Sequence, residues 1–137
     1  MPKCYGIIMS VSSGFHPTTN MWNLLGLIDN IQARTLPIIV PLEIHIFWYF
    51  APEEIDRDFE TRVAISINET RTEPSKHISF SSSTPYTHLR LREVSLASSG
   101  EYRAYIEWRP TGSIEWIRED IFWPFMVSLQ SEESSST

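Results

Sequence analysis

Cysteine is nearly absent from this chain of 137 residues. The single Cys4 cannot form an internal disulfide and cannot build a cysteine-rich metal site. It sits in an apolar, strand-like run, which points to a buried, inert thiol. No apolar run reaches the length of about 18 residues needed to span a bilayer. The most hydrophobic stretch, Ile38 to Phe50, is broken by Pro41, Glu43 and His45 and reads as a strand. Only five glycines occur, with no phosphate-cradling glycine loop and no Gly-x-Ser-x-Gly elbow for a serine nucleophile. Basic residues are outnumbered 17 to 11, a net charge of −6. An acidic chain repels phosphate backbones, which disfavours nucleic acid as a general partner and leaves only a local basic patch. Arg90 and Arg92, alternating with Leu89 and Leu91, read as the wet face of a sheet. The N-terminus shows no basic region, apolar core and cleavage site of a secretory signal, so a cytoplasmic protein is expected.

What is present is strand alternation. In Gly100–Arg109, Tyr102, Ala104, Ile106 and Trp108 share one face, and Glu101, Arg103, Tyr105, Glu107 and Arg109 share the other. In Leu42–Phe50, Ile44, Ile46, Trp48 and Phe50 point one way, and Glu43, His45, Phe47 and Tyr49 the other. Phe59, Thr61, Val63, Ile65 and Ile67 form a third inward row, with Glu60, Arg62, Ala64 and Ser66 outward. Further strands are expected in Lys3–Val11, Trp22–Ile31 and Tyr86–Leu96, and a short one in His77–Phe80. A long final strand over Ile114–Leu129 should break at Pro124. Ser12–Thr19, Ala51–Asp58 and Asn68–Lys76 read as loops, and Pro110-Thr111-Gly112-Ser113 as a hairpin turn. Gly26, inside an apolar run, marks a bulge or a close backbone approach. No segment sustains helical periodicity.

The expected fold is therefore all-β, a two-sheet antiparallel sandwich of about seven or eight strands, immunoglobulin-like or C2-like. Residues 1–130 form one domain in this scheme, and 131–137 a disordered Ser/Glu-rich tail. The Gly100-x-Tyr102 entry is similar to the tyrosine corner of immunoglobulin-like sandwiches. Ala104 stands where an antibody-type domain would carry its second cysteine, so the pinned core of that family is missing.

A second resemblance rests on Asn23-Leu24-Leu25-Gly26-Leu27-Ile28-Asp29, a Pro37-containing connection and an aliphatic-aromatic strand. It continues through Phe59-Glu60-x-Arg62-Val63, the Gly100-x-Tyr102 strand and a Pro124-containing final strand. This pattern, over residues 3–129, resembles a group of small bacterial proteins known only as a domain of unknown function with an Asn-Leu-x-Gly segment. The resemblance implies a fold and no activity. The chain departs from the group in Ser12–Met21, which carries no acid and no arginine.

Chemistry-bearing constellations are few. His16, His45, His77 and His88 lack the spacing of a zinc site, although His45 and His88 could meet across strands. Glu53, Glu54, Asp56 and Asp58 are the candidate calcium ligands, but calcium needs six to eight oxygens and Arg57 interrupts the loop. No carboxylate pair stands out for hydrolysis, and no cofactor is expected. Aromatics carry more weight. Trp48 and Trp108 fall on core faces, whereas consecutive Phe122, Trp123 and Phe125 cannot all point inward from one regular strand. The candidate contact residues are Phe47, Tyr49, Trp116, Phe122 and Trp123; Gly26, Gly100 and Tyr102 are structural. The expected function is a non-enzymatic protein-interaction or structural module working through a sheet edge or loops. Its partner would be another protein or a second copy, with no nucleic acid and no membrane. The alternative is a sandwich that binds calcium or carbohydrate.

Overall fold

Alternation of the kind just described produces strands almost throughout. A computed structural model describes residues 1–16, 21–69, 71–74 and 78–129, without the side chains of 15, 16, 21, 22, 71–74 and 93. The strands are β1 (Lys3–His16), β2 (Met21–Leu27), β3 (Asn30–Ala33), β4 (Ile38–Tyr49), β5 (Phe59–Ile67), β6 (Arg71–Pro74), β7 (Ile78–Phe80), β8 (Tyr86–Leu96), β9 (Gly100–Pro110) and β10 (Ile117–Leu129). They form two sheets. The first has the order β2-β1-β4-β8; the second has the order β3-β10-β9-β5-β6, with β7 also on β5. The fold is an all-β two-sheet sandwich, as expected, with ten strands among the described residues rather than seven or eight. The extra strands are the short β3 and β6, while β7 falls on the short strand expected at His77–Phe80. One pair breaks the antiparallel pattern: β3 runs parallel to the end of β10.

The sheets meet over apolar inner rows. Ile44, Ile46 and Trp48 from β4 and Phe50 just after it face Phe59, Val63, Ile65 and Ile67 from β5 and Tyr102, Ala104, Ile106 and Trp108 from β9, all buried. Rings carry the contact across the gap. Phe50 lies 5.7 Å from Phe59 and 5.8 Å from Phe80, Trp48 lies 5.5 Å from Phe80, and Phe59 meets Trp108 edge-on at 5.9 Å. Such offset and edge-on pairs add to the value of burial alone.

Several local expectations are corrected. Ser12–His16, turn-like by composition, extends β1 because β2 supplies backbone partners from Met21 to Leu25. The run Trp22–Ile31 is not one strand. Ile28 N–H donates to Met9 of the first sheet and Asp29 accepts from Met126 of the second, so the chain changes sheets between these neighbours. Gly26 sits just before this step at φ +69, and a Cβ there would lie 3.1 Å from Val11. Pro41 lies inside β4, beside a register shift that re-aims Leu42 into the core. Arg71–Pro74 pairs with β5 instead of looping. The final strand passes unbroken through Pro124, which opposes Arg103. β3 pairs only from Met126 onward, so the missing N–H at Pro124 is tolerated beside an open edge. The irregularity lies earlier, between Arg118 and Phe122. His77 and the tail 131–137 lie outside the described residues.

β9 opens on the tie expected of its tyrosine. The Tyr102 hydroxyl donates to the Ser98 carbonyl, and its ring stacks on Phe125 at 5.1 Å. Gly100, at φ +148, leaves room for Asn68, whose Oδ1 accepts the Glu101 N–H at 2.9 Å; a Cβ would stand 2.8 Å from that oxygen. Tyr102→Phe removes one hydrogen bond and should lower stability by about 1 kcal/mol in urea unfolding. An unchanged midpoint would show that the tie contributes nothing.

Candidate functional site

Strands β1, β4 and β8 lie side by side, and their outward residues form the outer face of the first sheet. The pairing aligns Ser10 with Glu43, His45 with Arg90, and Phe47 with His88. His45 belongs to the row expected to be wet, yet it is fully buried. The two histidines do meet: His45 Nδ1 lies 2.8 Å from His88 Nε2. His45 Nε2 lies 3.1 Å from Ser10 Oγ, which itself donates to the Ser12 carbonyl. With the Ser10 hydroxyl donating to Ser12, the consistent tautomers have His45 Nε2–H donating to Ser10 and His45 Nδ1 accepting from His88 Nε2–H. Glu43 Oε2 sits 3.2 Å from His45 Nε2, outside hydrogen-bond geometry. Arg90 binds Ser13 at 3.1 Å and lies 3.5 Å from Glu43.

Burial, above all, holds both imidazoles below the usual histidine range, His88 at about 4. A hydrogen bond from Ser13 and the nearby Arg90 keep the Glu43 carboxyl below its usual value. The arrangement contains serine, histidine and carboxylate but not the geometry of a catalytic triad. There the serine and the acid bind opposite ring nitrogens; here both lie at Nε2. Ser10 Oγ is also enclosed, with Ser10 at zero exposure.

Next to this polar cluster the same face is aromatic. Phe47 stacks on His88 at 4.6 Å and meets Tyr5 at 5.9 Å. Tyr86 lies 6.0 Å from Tyr5 and 5.5 Å from Tyr49. Tyr5 is 53% exposed, Tyr49 40% and Tyr86 65%, so three tyrosines share one open patch over a half-buried Phe47. The candidates Phe47 and Tyr49 are thus brought together. Tyr5 and Tyr86 were not legible as candidates, because only the β1–β4–β8 pairing reveals their proximity.

The outer face of the second sheet is built differently. Trp116 lies between two guanidinium groups, Arg62 and Arg109, each 4.2 Å from its ring. Glu107 accepts from Arg62 at 2.8 Å and from Arg118 at 3.2 Å, and Glu60 accepts from Arg109 at 3.3 Å. This cover encloses Glu60 and Glu107; with Ala64 and Ser66 they are buried, although alternation alone assigns all four to water. Phe122 points outward, 37% exposed, between Tyr105 at 5.3 Å and Arg103 at 4.6 Å. Trp123 turns inward and donates its indole N–H to the Ile28 carbonyl at 2.6 Å. Trp123 therefore packs the crossover from β2 to β3.

The acidic loop does not converge. Glu54 turns inward and accepts the Ala51 N–H at 2.9 Å, while Glu53, Asp56 and Asp58 point into solvent. Among the described residues no group of three His, Cys, Asp or Glu side chains could hold a metal ion. Cys4 is buried, and burial pushes its thiol up to about 11.

Two predictions follow from this geometry. The unfolded chain binds protons at histidine near pH 6.5, whereas folded His88 does so only near 4. Stability is therefore complete above pH 6.5 and falls as the pH drops toward 4. Solvent around the half-buried His88 limits its share to roughly 2 kcal/mol. His88→Gln keeps an N–H for His45 and does not titrate; thermal unfolding across this range should show a flatter pH dependence, and an equal slope would contradict the assignment. Trp123→Ala should destabilise the fold by roughly 2 kcal/mol, through lost packing and an orphaned carbonyl. Wild-type unfolding would show that Trp123 is not a packing residue. No protein-family model matches this chain, and no curated protein is significantly similar to it.

Proposed function

We propose that this chain is a non-enzymatic protein-interaction module whose contact surface is the tyrosine patch on the outer face of the first sheet, beside the open edge of β8. The observation that carries this is the contact of exposed Tyr86 with both exposed Tyr5 and exposed Tyr49, with Tyr5 packed on Phe47 and Phe47 on His88. Tyrosine is enriched at protein interfaces because one end of the ring is apolar and the other can hydrogen-bond. The patch is rigidly backed: Phe47 stacks on His88, and His88 is hydrogen-bonded to the buried His45. A preorganised aromatic surface binds with less loss of side-chain freedom.

The rings do not form a flat platform. Tyr5 and Tyr86 stand at 89° to each other, and Tyr49 and Tyr86 at 55°. The tilted rings give a sugar no shared stacking plane, which favours a protein surface over a carbohydrate. The divergence of Glu53, Glu54, Asp56 and Asp58 gives calcium no comparable support. A reducing, cytoplasmic setting belongs to the same proposal and suits a lone buried thiol.

The test is a photo-crosslinking amino acid at position 86, with Ile114 as the control. Ile114 is 89% exposed but lies in the turn region between β9 and β10. The probe at 86 should yield a discrete crosslinked species in the native host that the probe at 114 does not. Equal or absent crosslinking at both positions would contradict the proposal.

A further inference from the structure

Resting on that contact surface, we propose that its occupant is a second copy of this chain, joined by antiparallel pairing of the two β8 strands about Leu89. The two four-stranded sheets would then continue into one. β8 spans Tyr86–Leu96 and, among the described residues, pairs with β4 alone. Its far edge presents a row of backbone donors and acceptors, the usual template for strand addition. Leu89 and Leu91 point toward the core but stay only half-buried, and among the described residues no strand closes over them. An added strand would cover both.

Charge selects the register. In a twofold antiparallel pair, residues equidistant from the centre stand opposite each other on the same face. Centring on Arg90 or Arg92 sets each arginine against its own copy. Centring on Leu91 sets Arg90 against Arg92 of the second copy, twice. Like charges directly opposite destabilise a sheet. Centring on His88 avoids this but shortens the ladder to positions 86–90. Centring on Leu89 runs the ladder from Tyr86 to Arg92 and juxtaposes Arg92 with Tyr86, Arg90 with His88, and Leu89 with Leu89.

The Arg92–Tyr86 pairing is one this chain already uses. Arg118 lies 4.5 Å above Tyr105, Arg103 lies 4.6 Å above Phe122, and two arginines flank Trp116. Arg92 and Tyr86 are both exposed in the single chain. Tyr86 also belongs to the patch with Tyr5 and Tyr49, so the pairing would extend directly into that surface.

Light scattering of the unmodified chain at rising concentration tests the proposal without any substitution. The expected mass climbs from 15.9 kDa toward twice that value. Tyr86→Ala should weaken the dimer about tenfold through loss of two symmetric cation–π contacts. For the register, Leu89→Cys should couple to itself on oxidation and Arg92→Cys should not; native Cys4, 2% exposed, does not interfere. Coupling of Arg92→Cys instead would overturn the register. A monomer at every concentration, with no Leu89→Cys coupling, would overturn the second copy. If position 86 still crosslinked to a foreign protein, the interaction module would stand with a different occupant; if it crosslinked to nothing, both proposals would fall.

Discussion

The ring cluster between the sheets is the contact on which the other features depend. Trp48 from β4 and Phe50 just after it lock against Phe80 from β7 and Phe59 from β5, and Phe59 in turn meets Trp108 from β9. With its even-numbered residues held there, β4 has no freedom in register. A slip of one residue would send Ile44, Ile46, Trp48 and Phe50 to the outside and Glu43 and His45 into the core. The outer face of the first sheet is thus set by packing on its inner face.

The two outer faces meet the same problem in opposite ways. The second sheet covers itself: arginines from β5, β9 and β10 lie over Trp116, Tyr105 and Phe122 and neutralise Glu60 and Glu107. The first sheet buries a polar cluster around His45 but leaves Tyr5, Tyr49 and Tyr86 open. Among the described residues no side chain caps those tyrosines as the arginines cap Trp116. That asymmetry favours the first sheet as the surface that meets another molecule.

Much of the sandwich was legible by alternation. The inward rows of β4, β5 and β9 could be read from spacing alone, because each is local to one strand, and the Tyr102 tie from the resemblance of Gly100-x-Tyr102 to a tyrosine corner. The rest depended on partners distant in sequence. Ser12–His16 looks like a loop until β2 supplies its hydrogen bonds. His45 and Glu107 look wet until cross-strand neighbours enclose them. The run from Phe122 to Phe125 resolves only through the irregularity after Arg118, which sends Phe122 outward and Trp123 inward. Phe47 and Tyr49 were visible as the apolar end of an otherwise polar row. Tyr5 and Tyr86 were not, since nothing in either local stretch says that the two will touch.

Hydrogen–deuterium exchange resolved along the chain, measured on dilute and concentrated samples, tests most directly whether the open edge of the first sheet is a contact surface. Amides of β8 and of the Tyr5 and Tyr49 segments should gain protection with concentration, while those of β5 and β9, already buried inside the second sheet, should not change. Exchange in β8 that is the same at every concentration would contradict self-association at this edge.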